Sequence, residues 1–448
     1  MAAENKMGTM PEGRLIITMS FPIMLSMLVQ ALYNIVDSAF VARISEDALT
    51  AVSLAFPVQL LMIAVATGAG VGVNALLSRR LGEKKQAEAD AVAVNGIFLS
   101  VCFWLIFAVL GLLFGRQFIA LFTDVPAVIE MGTSYVTVVT VASCGVFLLF
   151  VAERLMQATG NTVYHMVTQL IGAVLNCILD PIMIFGLFGF PALGTTGAAL
   201  ATVLSQIIAM SIGFFINVRF NHDVRIRLRG FRPDGKIICE IVQIGLPAAV
   251  QQSLLSVLTV GLNRILMPFS QTAVGFYGVY YKLQNFLFMP VYGLNNALIP
   301  MIGYNFGAKN RRRIERITRY ALLLSLGIMA VGTLLFELLP VPLLRLFNAS
   351  DAMLAIGVPG IRIISVSFCL AGASVILCGC MQGLGRGSEP LWVALLRQLI
   401  VILPAAVLLS HISLTAVWFA FPLAEAVGLA AAFLLHHRVR RRLLDKLS

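Results

Sequence analysis

Apolar residues run through the chain in long blocks, separated by short polar segments. A helix needs about 20 such residues to cross a bilayer. Twelve blocks reach that length, near 15–41, 49–78, 91–121, 127–157, 163–187, 193–218, 238–266, 273–303, 317–345, 353–381, 388–410 and 413–436. A transmembrane β-barrel would show alternating segments of ~10 residues instead. The pattern predicts an all-α polytopic membrane protein with twelve transmembrane helices. The longest polar connection, RFNHDVRIRLRGFRPDGK at 219–236, splits them into two sets of six. The expected organisation is an N-terminal six-helix bundle over 1–218 and a cytoplasmic linker over 219–237. A C-terminal six-helix bundle over 238–437 and a basic cytoplasmic tail over 438–448 complete it.

The two halves echo each other. Phe21-Pro22 matches Leu246-Pro247, LG at 81–82 matches FG at 306–307, and LF at 121–122 matches LF at 346–347. MQATG at 156–160 matches MQGLG at 381–385. Every pair is offset by 225 residues. Each half holds an even number of spans, so both enter the membrane from the same side. The expected relation is a parallel repeat with a pseudo-twofold axis along the membrane normal, an arrangement that places substrate at the interface of the two bundles.

Composition supports the same class. The 448 residues are 59% hydrophobic and 12% charged, against roughly 25% charged in soluble domains. The formal net charge of +11 is read as marking cytoplasmic loops and not nucleic-acid binding. With the N-terminus inside, 25 of the 32 basic residues fall on the inner side, and the outer side holds only Arg43, Arg116, Arg264 and Arg345. That bias predicts cytoplasmic termini in a plasma (inner) membrane protein. The seven cysteines lie in or at the ends of apolar spans without CxxC spacing, so they read as small reduced hydrophobes. The polar first 14 residues do not form a signal peptide.

The chain resembles the multidrug and toxic compound extrusion (MATE) family, bacterial type. The residues that carry the resemblance are SFPIMLSMLVQALYNIVDSAFVAR in the first span, RRLGEKK after the second, MQATGN closing the fourth and LNCILDP in the fifth. The second half adds IPMIGYNFGAKN and MQGLGRGSEPLWVALLRQ. The resemblance implies a V-shaped pair of six-helix bundles that exports cationic or amphiphilic compounds, driven by inward movement of protons or sodium ions.

Within the oil of LNCILDPIMIFGLFG at 175–189 stand Asn176 and Asp180. Asp180 lies ~25 Å and Asp37 ~33 Å along spans that start inside, at 1.5 Å per residue. Each buried charge costs about 2.5–3.5 kcal/mol on insertion scales. Two acids at similar depth in one bundle predict a shared cavity that binds an exchangeable cation. Asn176 sits one turn below Asp180 on the same face. Pro181 removes a backbone donor, and freed carbonyls are tolerated where they line a cavity. The family's cation-site pattern, an acid in the first span and Asn-x-x-x-Asp in the fifth, matches Asp37, Asn176 and Asp180. Tyr33 and Thr202 fit the same cluster. Pro22 and Pro181 are the expected helix-bending points. The bland alternative for each acid is a structural polar link between helices.

Other residues carry less. Tyr135, Phe147, Phe150, Tyr277, Tyr281 and Trp392 offer cation–π surfaces for an organic cation, although at helical spacing such residues are more often ordinary packing. Lys282, in the eighth span, is a candidate for setting the cavity potential, or it snorkels. Glu425 has no evident partner in the sequence. Glu153-Arg154 reads as an inner-end structural pair, and His165 and His411 as interfacial. TGAGVGVN at 67–74 lies inside an apolar span, so it reads as close helix packing and not phosphate binding.

The preferred function is a cation-coupled drug antiporter and not an enzyme. No cofactor is expected beyond the coupling ion. Sodium, at Asp37, Asn176 and Asp180, is the one metal ion considered. Expected partners are the lipid bilayer and small cationic molecules, with no nucleic acid, and the chain is expected to act as a monomer. A flippase for lipid-linked precursors would want a cationic cavity, and mid-membrane cations are few: Lys282, Arg362 and Arg397. A membrane enzyme would want clustered His, Asp or Cys at one face.

Overall fold

The computed structural model describes residues 5–41, 43–227 and 229–446. The outermost residues of the expected first bundle and basic tail, together with Ala42 and Leu228, lie outside them. Every regular element among the described residues is helical. In chain order these are α1 Lys6–Thr9, α2 Glu12–Val41, α3 Glu46–Gly82, α4 Gln86–Ala120, α5 Pro126–Val141 and α6 Cys144–Ala158. They continue with α7 Thr162–Phe185, α8 Gly194–Phe220, α9 Gly235–Leu266, α10 Gln271–Gly307, α11 Arg311–Leu338 and α12 Pro340–Arg345. The last are α13 Asp351–Ser365, α14 Phe368–Gly383, α15 Ser388–Leu395, α16 Ile402–Ser410, α17 Leu414–Val417 and α18 Ala420–Val439. Ten helical stretches are each long and apolar enough to cross a membrane, and two bent pairs do so together.

The 225-residue repeat governs the helix ends. Ser45 caps α3 by accepting from Ala48 N at 3.0 Å, and Ser270 caps α10 by accepting from Ala273 N at 3.0 Å. α3 and α10 close alike: Lys84 and Lys309 turn left-handed at φ 60° and 56°. Lys85 N then reaches Arg80 O at 3.0 Å, and Asn310 N reaches Asn305 O at 2.9 Å. The repeated MQATG and MQGLG segments are also helix stops. Gly160 and Gly385 take φ 85° and 79°, and the next N–H, of Asn161 or Arg386, bonds back to Met156 or Met381. A side chain would strain that left-handed position, which is why glycine stands there.

The fourth and tenth spans are not single rods. α5 and α6 meet at 41°, and α13 and α14 at 48°. At each break a serine hydroxyl satisfies a freed carbonyl: Ser143 donates to Thr140 O at 2.6 Å and Ser367 to Ile364 O at 2.7 Å. Trp104 Nε1 donates to Val141 O beside the first break, at 2.8 Å. α2 runs through Pro22 and α7 through Pro181 without interruption.

Two compact units emerge, residues 1–5 with 25–249, and residues 6–24 with 250–448. In unit 1, glycines let backbones close up: a Cβ on Gly68 would meet Gly245 O at 2.6 Å, and one on Gly72 would meet Ile241 O at 2.2 Å. This is the close helix packing expected of TGAGVGVN. The polar connection is tied down within the same unit. Arg225 N donates to Asp90 Oδ1 at 2.8 Å and Asp234 N to Asn95 Oδ1 at 2.9 Å. In unit 2, Arg313 threads the N-terminal turn: Nε donates to Met7 O at 3.1 Å and Nη2 to Met10 O.

Candidate functional site

Two helices of unit 1 carry polar stripes through otherwise apolar faces. On α2 the stripe is Ser26, Gln30, Tyr33 and Asp37, spaced i, i+4, i+7, i+11. On α7 it is His165, Gln169, Asn176 and Asp180, spaced i, i+4, i+11, i+15. At 3.6 residues per turn each set stays on one face. The faces meet. Ser26 Oγ lies 3.4 Å from His165 Nε2, and the Gln30 and Gln169 amides touch at 2.6 Å. Asp37 and Asp180 stand within hydrogen-bonding reach of one another. A hydrogen bond between two carboxyl groups requires a proton on one of them.

Asp180 is fully buried and Asn176 is 2% exposed. Asn176 Nδ2 donates to Asp180 Oδ1 and to Thr202 Oγ1, each at 3.3 Å. The amide thus ties α7 to α8. Tyr33 lies one turn along α2 from Gln30 and interacts electrostatically with both acids. Asp37 Oδ1, Asp180 Oδ2 and Asn176 Oδ1 are buried without a hydrogen-bond partner. Unmatched buried oxygens beside two acids are costly unless a proton or cation visits them. The structure therefore brings Asp37, Asp180, Asn176, Thr202 and Tyr33 together.

The aromatic candidates divide. Tyr135 belongs to the acid cluster: its hydroxyl accepts from Gln59 Nε2 at 3.0 Å, and it interacts electrostatically with Asp37. Phe147 packs in the apolar core of unit 1, its ring 5.5 Å from that of Phe107, and Phe150 leans on the same core. In unit 2, Tyr277 lies in an aromatic cluster with Tyr280 and Phe421. Tyr281 is half-buried, and Lys282 and Arg362 are exposed. Trp392 is 63% exposed. Glu425 has Arg397 as its partner, at 3.2 Å, beside the π-helical stretch Leu396–Val401.

Gln30, Gln169 and Gln59 belong to this polar system although no motif marks them. The signal was the spacing: Gln30 falls between Ser26 and Tyr33 on one face, and Gln169 between His165 and Asn176. His165 is not interfacial. It is 4% exposed, and its Nδ1 lies 3.7 Å from Glu153 Oε2. Arg154, the sequence neighbour of Glu153, turns its Nη1 to Gln157 Oε1 at 2.7 Å. Gly70 gives Arg154 its room, since a Cβ there would meet Arg154 Cγ at 2.8 Å.

The repeat supplies an internal comparison. At the positions 225 residues beyond Gln30, Tyr33, Asp37, Gln169, Asn176 and Asp180 stand Leu255, Leu258, Leu262, Ala394, Val401 and Ala405. Leu258 and Leu262 lie in the apolar core of unit 2. The acids, glutamines and tyrosine of unit 1 are therefore not repeated at those six positions, all of which are apolar.

Comparison with known proteins places this arrangement. The MatE family profile matches residues 22–182 and 247–408, one match in each half of the repeat. The chain is 27% identical over 427 residues to the Multidrug export protein MepA of Staphylococcus aureus (strain MRSA252), covering 95% of this chain and 93% of that one. A solved MATE in complex with MaL6 superposes with a TM-score of 0.92 at 25% identity, covering 100% of both chains. The outward-facing conformation of a multidrug resistance MATE family transporter of the MOP superfamily gives 0.92 at 25%, covering 99% of both. With the profile matched over both repeats and the fold shared from end to end, the chain belongs to the MatE family of multi-pass membrane transporters.

Proposed function

We propose that the protein is a secondary active antiporter that exports cationic or amphiphilic compounds in exchange for protons or sodium ions, by alternating access between two six-helix bundles. It works as a monomer in the plasma (inner) membrane, with both termini cytoplasmic. The observation that carries this reading is the pair Asp37 and Asp180, a half-buried and a fully buried acid in hydrogen-bonding reach with buried, unpartnered oxygens between them. An ion arriving from outside neutralises the pair and weakens its attraction for a cationic compound, which leaves outward. The ion is then lost on the inner side. The function named for the MepA relative, multidrug export, supports the direction and the substrate class. Asn176 and Thr202 add oxygens beside the acids, as sodium would want, while the acids alone suffice for a proton.

The test is reconstitution. Purified protein in proteoliposomes loaded with ethidium is given a pH gradient, a sodium gradient, or neither. Efflux that rises with one gradient and not the other supports antiport and names the ion. Equal efflux under all three conditions overturns the reading.

A further inference from the structure

The polar stripes do not end at the acid pair. Gln169 also faces Glu153, which lies near the C-terminal end of α6. With its amide turned so that nitrogen faces the carboxylate, Gln169 donates to Glu153 Oε1 at 2.9 Å and Oε2 at 3.3 Å. Polar groups therefore succeed one another from Asp37 and Asp180 through Tyr33, Gln30 and Gln169 to Glu153, with the Gln30–Gln169 and Gln169–Glu153 contacts at hydrogen-bonding distance. Gln169 and Asp180 alone are ~16 Å apart along α7. The charged and titratable groups near Glu153 are His165 on α7, which faces it, and Arg154 on its own helix, which acts on it through its charge alone. Gln157 and Asn74, from α6 and α3, complete the cluster as neutral amides. Glu153 is 5% exposed.

Amides do not pass protons along, but each has one donating end and one accepting end. A line of them therefore has two polarities. In the first, Gln169 Nε2 donates to Gln30 Oε1. The Gln30 nitrogen then faces Tyr33, whose hydroxyl hydrogen is free to turn toward ionised acids. The Gln169 oxygen faces Glu153, and a bond there needs a proton on the glutamate. In the second, Gln169 is turned over and donates to an ionised Glu153. Gln30 must then present its nitrogen to Gln169 and its oxygen to Tyr33. The Tyr33 hydrogen points away from the acids, which are satisfied by carrying a proton. The same heavy-atom positions accommodate either polarity, and intermediate arrangements leave a buried donor–donor or acceptor–acceptor clash.

We propose that Glu153 is a second proton site of the transport cycle, coupled to Asp37 and Asp180 by the reversible line Tyr33–Gln30–Gln169, so that a proton bound at one end favours release of a proton from the other. The proposal rests on the antiport reading for its role in transport, though not for its geometry. No proton crosses the amides. One is taken up by the Asp37 and Asp180 pair, the line reverses, and a different one leaves Glu153, whose Oε2 lies 3.7 Å from His165 Nδ1. The corresponding positions of the second repeat, Leu255 and Ala394 for the two glutamines and Cys378 for Glu153, cannot form such a line, so the device belongs to unit 1 alone.

The experiment is pH-titrated infrared difference spectroscopy of the full-length protein in lipid nanodiscs. The carboxyl band that disappears in Glu153→Gln is followed in wild type and in Asp37→Asn, whose amide donates as a protonated carboxyl would. The expected result is that Asp37→Asn lowers the Glu153 midpoint by at least about half a pH unit, a threefold change in proton affinity. Gln169→Leu or Gln30→Leu should cancel that shift, whichever of them keeps the wild-type amide band. A Glu153 midpoint unmoved by Asp37→Asn overturns the proposal, as does a shift that survives loss of either glutamine. Loss of gradient-driven ethidium efflux in Asp37→Asn without a Glu153 shift would leave the antiport reading standing and remove only the coupling. Normal gradient-driven efflux in Asp37→Asn together with a Glu153 shift would keep the coupling between the two ends and remove Asp37 from the ion exchange.

Discussion

Gly197→Ala is a one-carbon change that should disable the site without touching any of its polar groups. Gly197 lies in the first turn of α8, against the end of α7. A Cβ there would stand 2.3 Å from Met183 O and 2.6 Å from Met183 C, both backbone. Met183 O is also held by Leu193 N at 3.0 Å, so it cannot swing aside. Restoring a carbon–oxygen separation of about 3.3 Å requires α8 to retreat by roughly 1 Å. Thr202 rides on α8 little more than one turn further on. Its bond from Asn176 is already 3.3 Å long, so the same retreat breaks it. Overpacking of this kind costs about 1–3 kcal/mol, and the lost buried hydrogen bond adds about 0.5–1.5 kcal/mol. The assay pairs thermal unfolding of the purified protein with gradient-driven ethidium efflux. We expect a melting point lower by several degrees and efflux reduced at least tenfold. Gly327→Ala, in α11 with nothing within 4 Å of the added carbon, should leave both unchanged. Wild-type stability and transport in Gly197→Ala would refute the claim that the α7–α8 approach sets the site.

Other consequences can be measured separately. Glu425→Gln should lower thermal stability by about 1–3 kcal/mol, because the half-buried Arg397 loses its charged partner. It should nonetheless keep gradient-coupled efflux, and loss of coupling at normal stability would move the ion site to unit 2. Burial raises the Glu83 carboxyl, but hydrogen bonds and charge from Arg80 and Arg79 outweigh it and hold the group below its ordinary value of 4.5. A depressed carboxyl stabilises the fold above that ordinary value and loses its contribution as pH falls further. Wild type and Glu83→Gln should therefore differ in melting temperature at neutral pH and converge well below pH 4.5, and a gap that widens in acid would contradict this. Arg229→Cys, exposed in the polar connection, should react with an impermeant thiol reagent only after cells are opened, if that connection is cytoplasmic.

Sequence alone carried the spans far because bilayer thickness and backbone satisfaction leave little choice of element. The 225-residue offset was legible for the same physical reason that the helix ends repeat: serine caps, left-handed lysines and terminal glycines are local chemistry. The breaks at Ser143 and Ser367 were not legible, since a serine inside an apolar run is as compatible with a straight helix as with a bent one. Asp37, Asn176 and Asp180 could be singled out because ionised groups in oil are costly. Gln30 and Gln169 could not, because a single uncharged amide is common between packed helices and only the facing register, offset by 139 residues in Gln30–Gln169 and Ser26–His165, shows that they touch. Glu153 looked paired with its neighbour Arg154. Adjacent residues on a helix point about 100° apart, and in the structure Glu153 faces His165 and Gln169 across to α7, while Arg154 turns to Gln157.

The central claim is that Asp37 and Asp180 exchange the driving ion. Its most direct test is ethidium efflux from proteoliposomes containing wild type, Asp37→Asn or Asp180→Asn, under the gradient that drives the wild type. Each substitution keeps the shape of the side chain and removes its exchangeable charge. The account predicts that each variant melts as a folded protein and shows no efflux above the rate without a gradient. Near-normal gradient-driven efflux by both variants would contradict it.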